Sequence, residues 1–204
     1  MKKELYLVRH GQTDYNKKGI IQGRGIDSNI NGKGKRQAQA FFDAFGHIPF
    51  DKVYISTLKR TRQTLSPFEK SGVLLNPHAG LDEMHWGVHE GKRSTTKLER
   101  EYQNILSKWQ NGDLDFKMPE GESPNDLKAR QMAFIEEVIN PFEGKMLICS
   151  HGRALRSLIC NLIGKSLSEM DQFPHANVSL YKLNFETDRF EIELFNYREH
   201  LLDI

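Results

Sequence analysis

The chain has 204 residues, enough for one well-packed domain, and its 38% apolar and 27% charged residues are spread without low-complexity blocks, which argues against extended disorder. With 29 Lys plus Arg against 27 Asp plus Glu, the formal charge is only +2, too balanced for a general nucleic-acid or anionic-membrane binder. The apolar run after Lys2 and Lys3 is cut at Arg9, too short for a secretory leader, and no later segment approaches the roughly 18 apolar residues of a membrane helix, so a cytoplasmic protein is expected.

Residues 5–8 are consecutively apolar and end abruptly in Arg9, His10 and Gly11, the pattern of a strand buried on both faces. In open α/β sheets the ligand crevice lies beyond the carboxyl ends of the strands, which puts Arg9 and His10 at a binding site. Residues 17–34 are polar and glycine-rich and read as loop, with Gln22, Gly23 and Arg24 able to reach back to that site. Ala38, Phe41, Phe42 and Phe45 fall at helical spacing, with Asn31 as cap and Gly46 as stop. Residues 53–55 predict a second strand that ends at Ser56. The helix after it carries Arg60 in its first turn, where unpaired backbone N–H groups favour an anion. A third strand is expected at residues 73–75, followed by the loop LDEMHWGVHEG, residues 81–91, which carries Glu83.

Leu98, Tyr102, Ile105 and Trp109 predict a helix over residues 95–111, closed by Gly112. The next helix starts with Ser123 as N-cap, Pro124 in its first position and Asp126 in its first turn; Leu127, Phe134, Ile135 and Val138 supply its buried face and Pro141 its end. Residues 145–164, KMLICSHGRALRSLICNLIG, repeat the logic of the opening: an apolar strand, then Ser150, His151 and Gly152, then an amphipathic helix ended by Gly164. Residues 178–185 and 190–197 alternate as a β-hairpin that belongs toward a sheet edge. Cys149 and Cys160 have neither metal-site nor disulfide spacing and read as reduced packing residues.

R-H-G-x-T-x-x-N at residues 9–16, S-x-L-x-R-x-x-Q-T at 56–64, the Glu83 loop with G-x-x-E-G at 87–91, G-E-S at 121–123, S-H-G at 150–152 and A-N-V-S at 176–179 together resemble the histidine phosphatase superfamily, the phosphoglycerate mutase-like proteins. The pattern is similar to its phosphatase branch, which includes alpha-ribazole and broad-specificity phosphatases. The resemblance implies an α/β fold, a three-layer α/β/α sandwich with a mostly parallel central sheet and a C-terminal antiparallel hairpin. It also implies a single domain over residues 1–204, with 84–122 as a specificity or lid insertion. By the same resemblance His10 is a nucleophile that forms a phosphohistidine. Arg9, Arg60 and His151 hold the phosphoryl group, Glu83 is the proton donor, and Asn16, with Gln22 and Gly23, lies at the phosphate. The substrate expected is a small phosphate ester, with no metal, no cofactor, no nucleic acid and no membrane.

These residue types suit the chemistry. Phosphoryl transfer needs an aligned nucleophile, positive donors around the equatorial oxygens and an acid for the leaving group. Arginine forks pair with phosphate oxygens and stay charged, and a neutral imidazole nitrogen is available near neutrality. A cysteine-dependent phosphatase is excluded because C-x5-R starting at Cys149 meets Leu155. His85 and His89 have the spacing of helical metal ligands, but Gly87 lies between them and no H-E-x-x-H order is present, so they read as loop histidines near the entrance. A cofactor-dependent phosphoglycerate mutase is the alternative. The stretch of about 30 residues between Gly91 and the G-E-S segment is short for one, although Lys92, Arg93, Lys97 and Arg100 add local positive charge. A catalytically weak phosphate-binding module is the second alternative. Arg153 departs from the glycine common after S-H-G and reads as a solvent-facing residue.

Overall fold

A computed structural model describes residues 3–93, 95–202 and 204. Strands β1 (Lys3–Arg9), β2 (Lys52–Ile55), β3 (Leu75–Pro77), β4 (Gly144–Ser150), β5 (Leu180–Glu186) and β6 (Arg189–Tyr197) make a six-stranded sheet in the order β3-β2-β4-β1-β5-β6. The first four run parallel, and β5 and β6 are antiparallel additions on one side, with β6 at the edge. The helices are α1 (Asp14–Lys17), α2 (Gly32–Phe45), α3 (Lys59–Thr64), α4 (Ser66–Lys70), α5 (Thr96–Gln110), α6 (Pro124–Phe134) and α7 (Gly152–Ile163).

Period-two alternation sorts the central strands between two cores. Leu5 and Leu7 of β1 and Met146 and Ile148 of β4 join Trp109, Phe134 and Leu155 from α5, α6 and α7. Tyr6, Val8, Leu147 and Cys149 face the other way, against Phe41 of α2 and Phe68 of α4. The result is the expected α/β/α sandwich. Both cysteines are free and buried, and burial pushes the Cys160 thiol up to about 12, so both stay protonated packing groups.

Local signals explain most boundaries. Asn31 caps α2 by accepting from the Gly34 N–H, and Ser123 and Asp126 form a reciprocal capping box at α6. Thr13 and Asn16 form another around the single turn of α1, a helix that no apolar spacing announces. β3 begins two residues later than expected because the Val73 N–H is still tied to the Phe68 carbonyl at the end of α4. The ladder to β2 opens only at Leu75, opposite Val53. Helix α6 continues as a π-helical turn, Ile135–Ile139, whose end is closed by Lys3 Nζ, donating to the Ile139 and Asn140 carbonyls at 2.7 and 2.9 Å. Among the described residues no helix is long and apolar enough to cross a membrane.

Candidate active site

Three parallel strands deliver polar groups at their carboxyl ends. β1 ends in Arg9 and His10, β2 runs into Ser56 and then Arg60, and β4 runs into His151. Gly11 follows because α2 crosses there: a Cβ on Gly11 would lie 2.8 Å from the Gly34 carbonyl oxygen. Close approach, rather than a left-handed turn, is what requires glycine. The Gly11 N–H donates to Thr64 Oγ1 at 2.8 Å, tying the strand end to α3.

His10 is 3% exposed, with Nδ1 2.8 Å from the Gly11 carbonyl oxygen. A carbonyl only accepts, so Nδ1 carries the proton and the Nε2 lone pair is left for attack. Burial, then the charges of Arg60 and Arg9, holds its pKa well below the usual 6.5, so the ring is neutral.

Behind it, the His151 ring centroid is 5.1 Å away. Arg60 Nε donates to His151 Nδ1 at 3.0 Å, which leaves the other ring nitrogen to donate to Ser56 Oγ at 2.8 Å. Ser56 in turn donates to Asp82 Oδ1 at 2.8 Å. The four groups form one buried chain of hydrogen bonds that fixes the tautomer and plane of His151. Its pKa is pushed well below the usual value by burial, then by Arg60 and His10. Arg60 is wholly buried and spends further N–H groups on the carbonyls of Ile26 and Gly23, at 2.6 and 3.3 Å.

Glu83 reaches the start of α7. Its Oε1 accepts from the N–H groups of Ala154 and Met84, both at 2.9 Å, and its Oε2 from Arg153 N–H at 3.2 Å. His151 supplies no side-chain cap to α7, so the carboxylate serves the otherwise unpaired N–H groups there.

Arg9, His10, Asn16, Gln22 and Glu83 border one cavity of about 300 Å³. Arg60 and His151 lie behind that lining. Asn16 Oδ1 is occupied by Thr13 and by Asn177, whose Nδ2 also donates to the His10 carbonyl at 2.9 Å. Gln22 donates to Thr13 Oγ1 at 2.7 Å. Gly23 does not border the cavity. It is a backbone acceptor for Arg60, and a Cβ there would overlap the Glu90 carboxylate. His85 and His89 also lie away from the cavity lining, and His89 is buried against Glu101 at 3.1 Å.

The family model of the histidine phosphatase superfamily (branch 1) matches residues 5–198. The chain belongs to this superfamily. It is 31% identical over 195 residues to "Putative phosphoserine phosphatase 2" of Hydrogenobacter thermophilus, covering 95% of both chains. It is also 31% identical over 185 residues to "Probable phosphoglycerate mutase GpmB" of Escherichia coli, covering 90% of this chain and 85% of that one. Among solved structures, the alpha-ribazole phosphatase from Shigella flexneri superposes with a TM-score of 0.81 at 26% identity, covering 95% of this chain and 96% of that one.

In this superfamily member one arginine lies elsewhere than expected, and several cavity residues belong to no motif. Arg153 does not face solvent; it is 5% exposed, donating to Asp171 Oδ1 at 2.7 Å and to the Tyr102 hydroxyl at 2.9 Å. Its burial follows from the α5 helix and the 3-10 turn Leu167–Gln172, which close over the start of α7 and supply those partners. Tyr102 and Leu98, read from the sequence only as marking the helical spacing of α5, border the cavity, as do Trp86, Arg156 and His175. His175 precedes the A-N-V-S segment, and its carbonyl accepts from Arg9 NH1 at 2.9 Å. Its one mark in the sequence is its place directly before that motif.

Proposed function

We propose that the protein hydrolyses phosphomonoesters of small molecules through a phosphohistidine on His10. The observation that carries this reading is a neutral His10, its Nδ1 proton engaged by Gly11, bordering a cavity between Arg9 and Glu83. Arg9 Nε is buried and finds no partner among the described residues, as expected of a donor kept for a phosphate oxygen.

In the first half, His10 Nε2 forms a bond to phosphorus, the ester P–O bond breaks, and the leaving oxygen takes a proton from Glu83. That proton is returned to Glu83 in the second half, so the cycle closes on the same carboxyl group. In the second half, water gives a proton to Glu83 and its oxygen attacks phosphorus. The P–N bond breaks and releases inorganic phosphate, with His10 neutral again. Arg60 and His151 back the phosphoryl group with positive charge and a fixed ring. Residues 84–122, which bring Trp86, Leu98 and Tyr102 to the cavity, set specificity in this scheme. The short connection between Gly91 and Gly121 supports hydrolysis over mutase chemistry, since less chain is available to exclude water.

The test is acid-labile labelling with a phosphate ester radiolabelled at phosphorus. Wild type is expected to trap label and release inorganic phosphate; His10→Ala traps none and loses at least about 10³-fold in kcat/KM. Full turnover by His10→Ala defeats the covalent route, and interconversion of phosphoglycerates with little free phosphate defeats the hydrolase reading.

A further inference from the structure

One wall of the cavity carries positive charge that phosphoryl transfer does not use. Arg153 and Arg156, one turn apart at the start of α7, both donate to Asp171 Oδ1. One carboxylate therefore serves two guanidinium groups. The Arg153 side chain is only 4% exposed, and its guanidinium carbon lies 5.9 and 5.5 Å from the rings of Trp86 and Trp109. Arg153 is matched by Asp171 and Tyr102, so the charge left over falls to Arg156, whose side chain is 25% exposed. Of the other charged groups that border the cavity, Lys92 and Glu99 offset each other in sign, and so do Arg9 and Glu83.

The polar groups nearby are poised as donors. Tyr102 accepts from Arg153, which leaves its own hydroxyl proton to give. His175 is 8% exposed, borders the same cavity, and neither of its ring nitrogens finds a partner among the described residues. The wall is also adjacent to the chemistry, because the Arg153 N–H is bonded to Glu83, the group assigned to the leaving oxygen.

We propose that Arg153 and Arg156, with Tyr102 and His175, form a subsite for a carboxylate on the substrate, so that the enzyme selects phosphate esters bearing a carboxylate a few atoms from the esterified oxygen. This rests on the phosphohydrolase reading above. The excess over Asp171 is a single positive charge, which one carboxylate matches and a second phosphate, at nearly two negative charges, exceeds.

The test compares kcat/KM within matched pairs: O-phosphoserine against O-phosphoethanolamine, and 3-phosphoglycerate against glycerol 3-phosphate, with p-nitrophenyl phosphate as the common reference. Wild type is expected to favour the carboxylated member of at least one pair by about 30-fold, the scale of a charged hydrogen bond. Arg153→Gln and Arg156→Gln are expected to compress that ratio to within about threefold, whatever happens to the common rate. Arg156 is the more exposed of the two and supplies the readout if Arg153→Gln fails to fold. Equal rates within both pairs, or a preference untouched by either substitution, overturns the subsite while hydrolysis of p-nitrophenyl phosphate keeps the phosphatase reading. No phosphate release from any ester overturns both.

Discussion

In the proposed mechanism Glu83 moves the proton and His10 attacks phosphorus, and the structure holds the two in opposite ways. His10 gives its one N–H to a backbone carbonyl, and Glu83 takes three backbone N–H groups. Replacing Glu83 by Gln keeps its size but removes the transferable proton. The expected cost is about 10²–10⁴-fold in kcat for an alkyl phosphate, and far less for p-nitrophenyl phosphate, whose leaving group departs unprotonated. Equal losses on both esters indicate a structural role instead. For His10, burial and two arginines hold the ring neutral, so an NMR titration of its imidazole carbons is expected to show no protonation at pH 6. An ordinary transition near 6.5 contradicts the neutral state assigned to His10.

At the scale of elements, the site depends on how closely β1 and α2 meet. A Cβ on Gly34 would lie 2.3 Å from the Gln12 carbonyl oxygen, the counterpart of the Gly11 contact. Gly11→Ala must therefore push apart two backbones, an overpacking cost of about 1–3 kcal/mol. In a chain of this size that lowers the melting temperature by about 2–4 °C per kcal/mol, readable by calorimetry. Activity is expected to fall with it, since Gly11 also supplies the carbonyl that fixes the His10 tautomer. The end of β2 works similarly. Ser56 and Asp82 touch no cavity surface but set the plane of His151, so Ser56→Ala is expected to lower kcat by about tenfold with little change in KM. A shift in KM alone assigns Ser56 to binding rather than positioning.

Across the whole molecule, His10, His151 and His175 are buried with pKa values well below the usual 6.5. In the unfolded chain each takes up a proton near 6.5, while in the folded chain each stays neutral. The folded form therefore has its full stability above that pH and loses it as pH falls toward the folded values, at up to about 1.4 kcal/mol per pH unit for each histidine. Denaturant midpoints are expected to drop steadily from pH 7 to pH 5; a flat profile contradicts the neutral assignment. The strand ends that carry Arg9, His10 and His151, the caps at Asn31 and Ser123, and the edge hairpin are legible in the amino-acid order alone, because each is written in local periodicity or in a single capping side chain. That Arg153 is buried, that Gly23 serves Arg60 through its carbonyl, and that Tyr102 and His175 border the cavity emerges from the packed chain. Those facts depend on partners far along the chain, Asp171 and α5 above all, and a charged side chain's exposure is set by the packing that brings its counter-charge to it rather than by its neighbours in sequence.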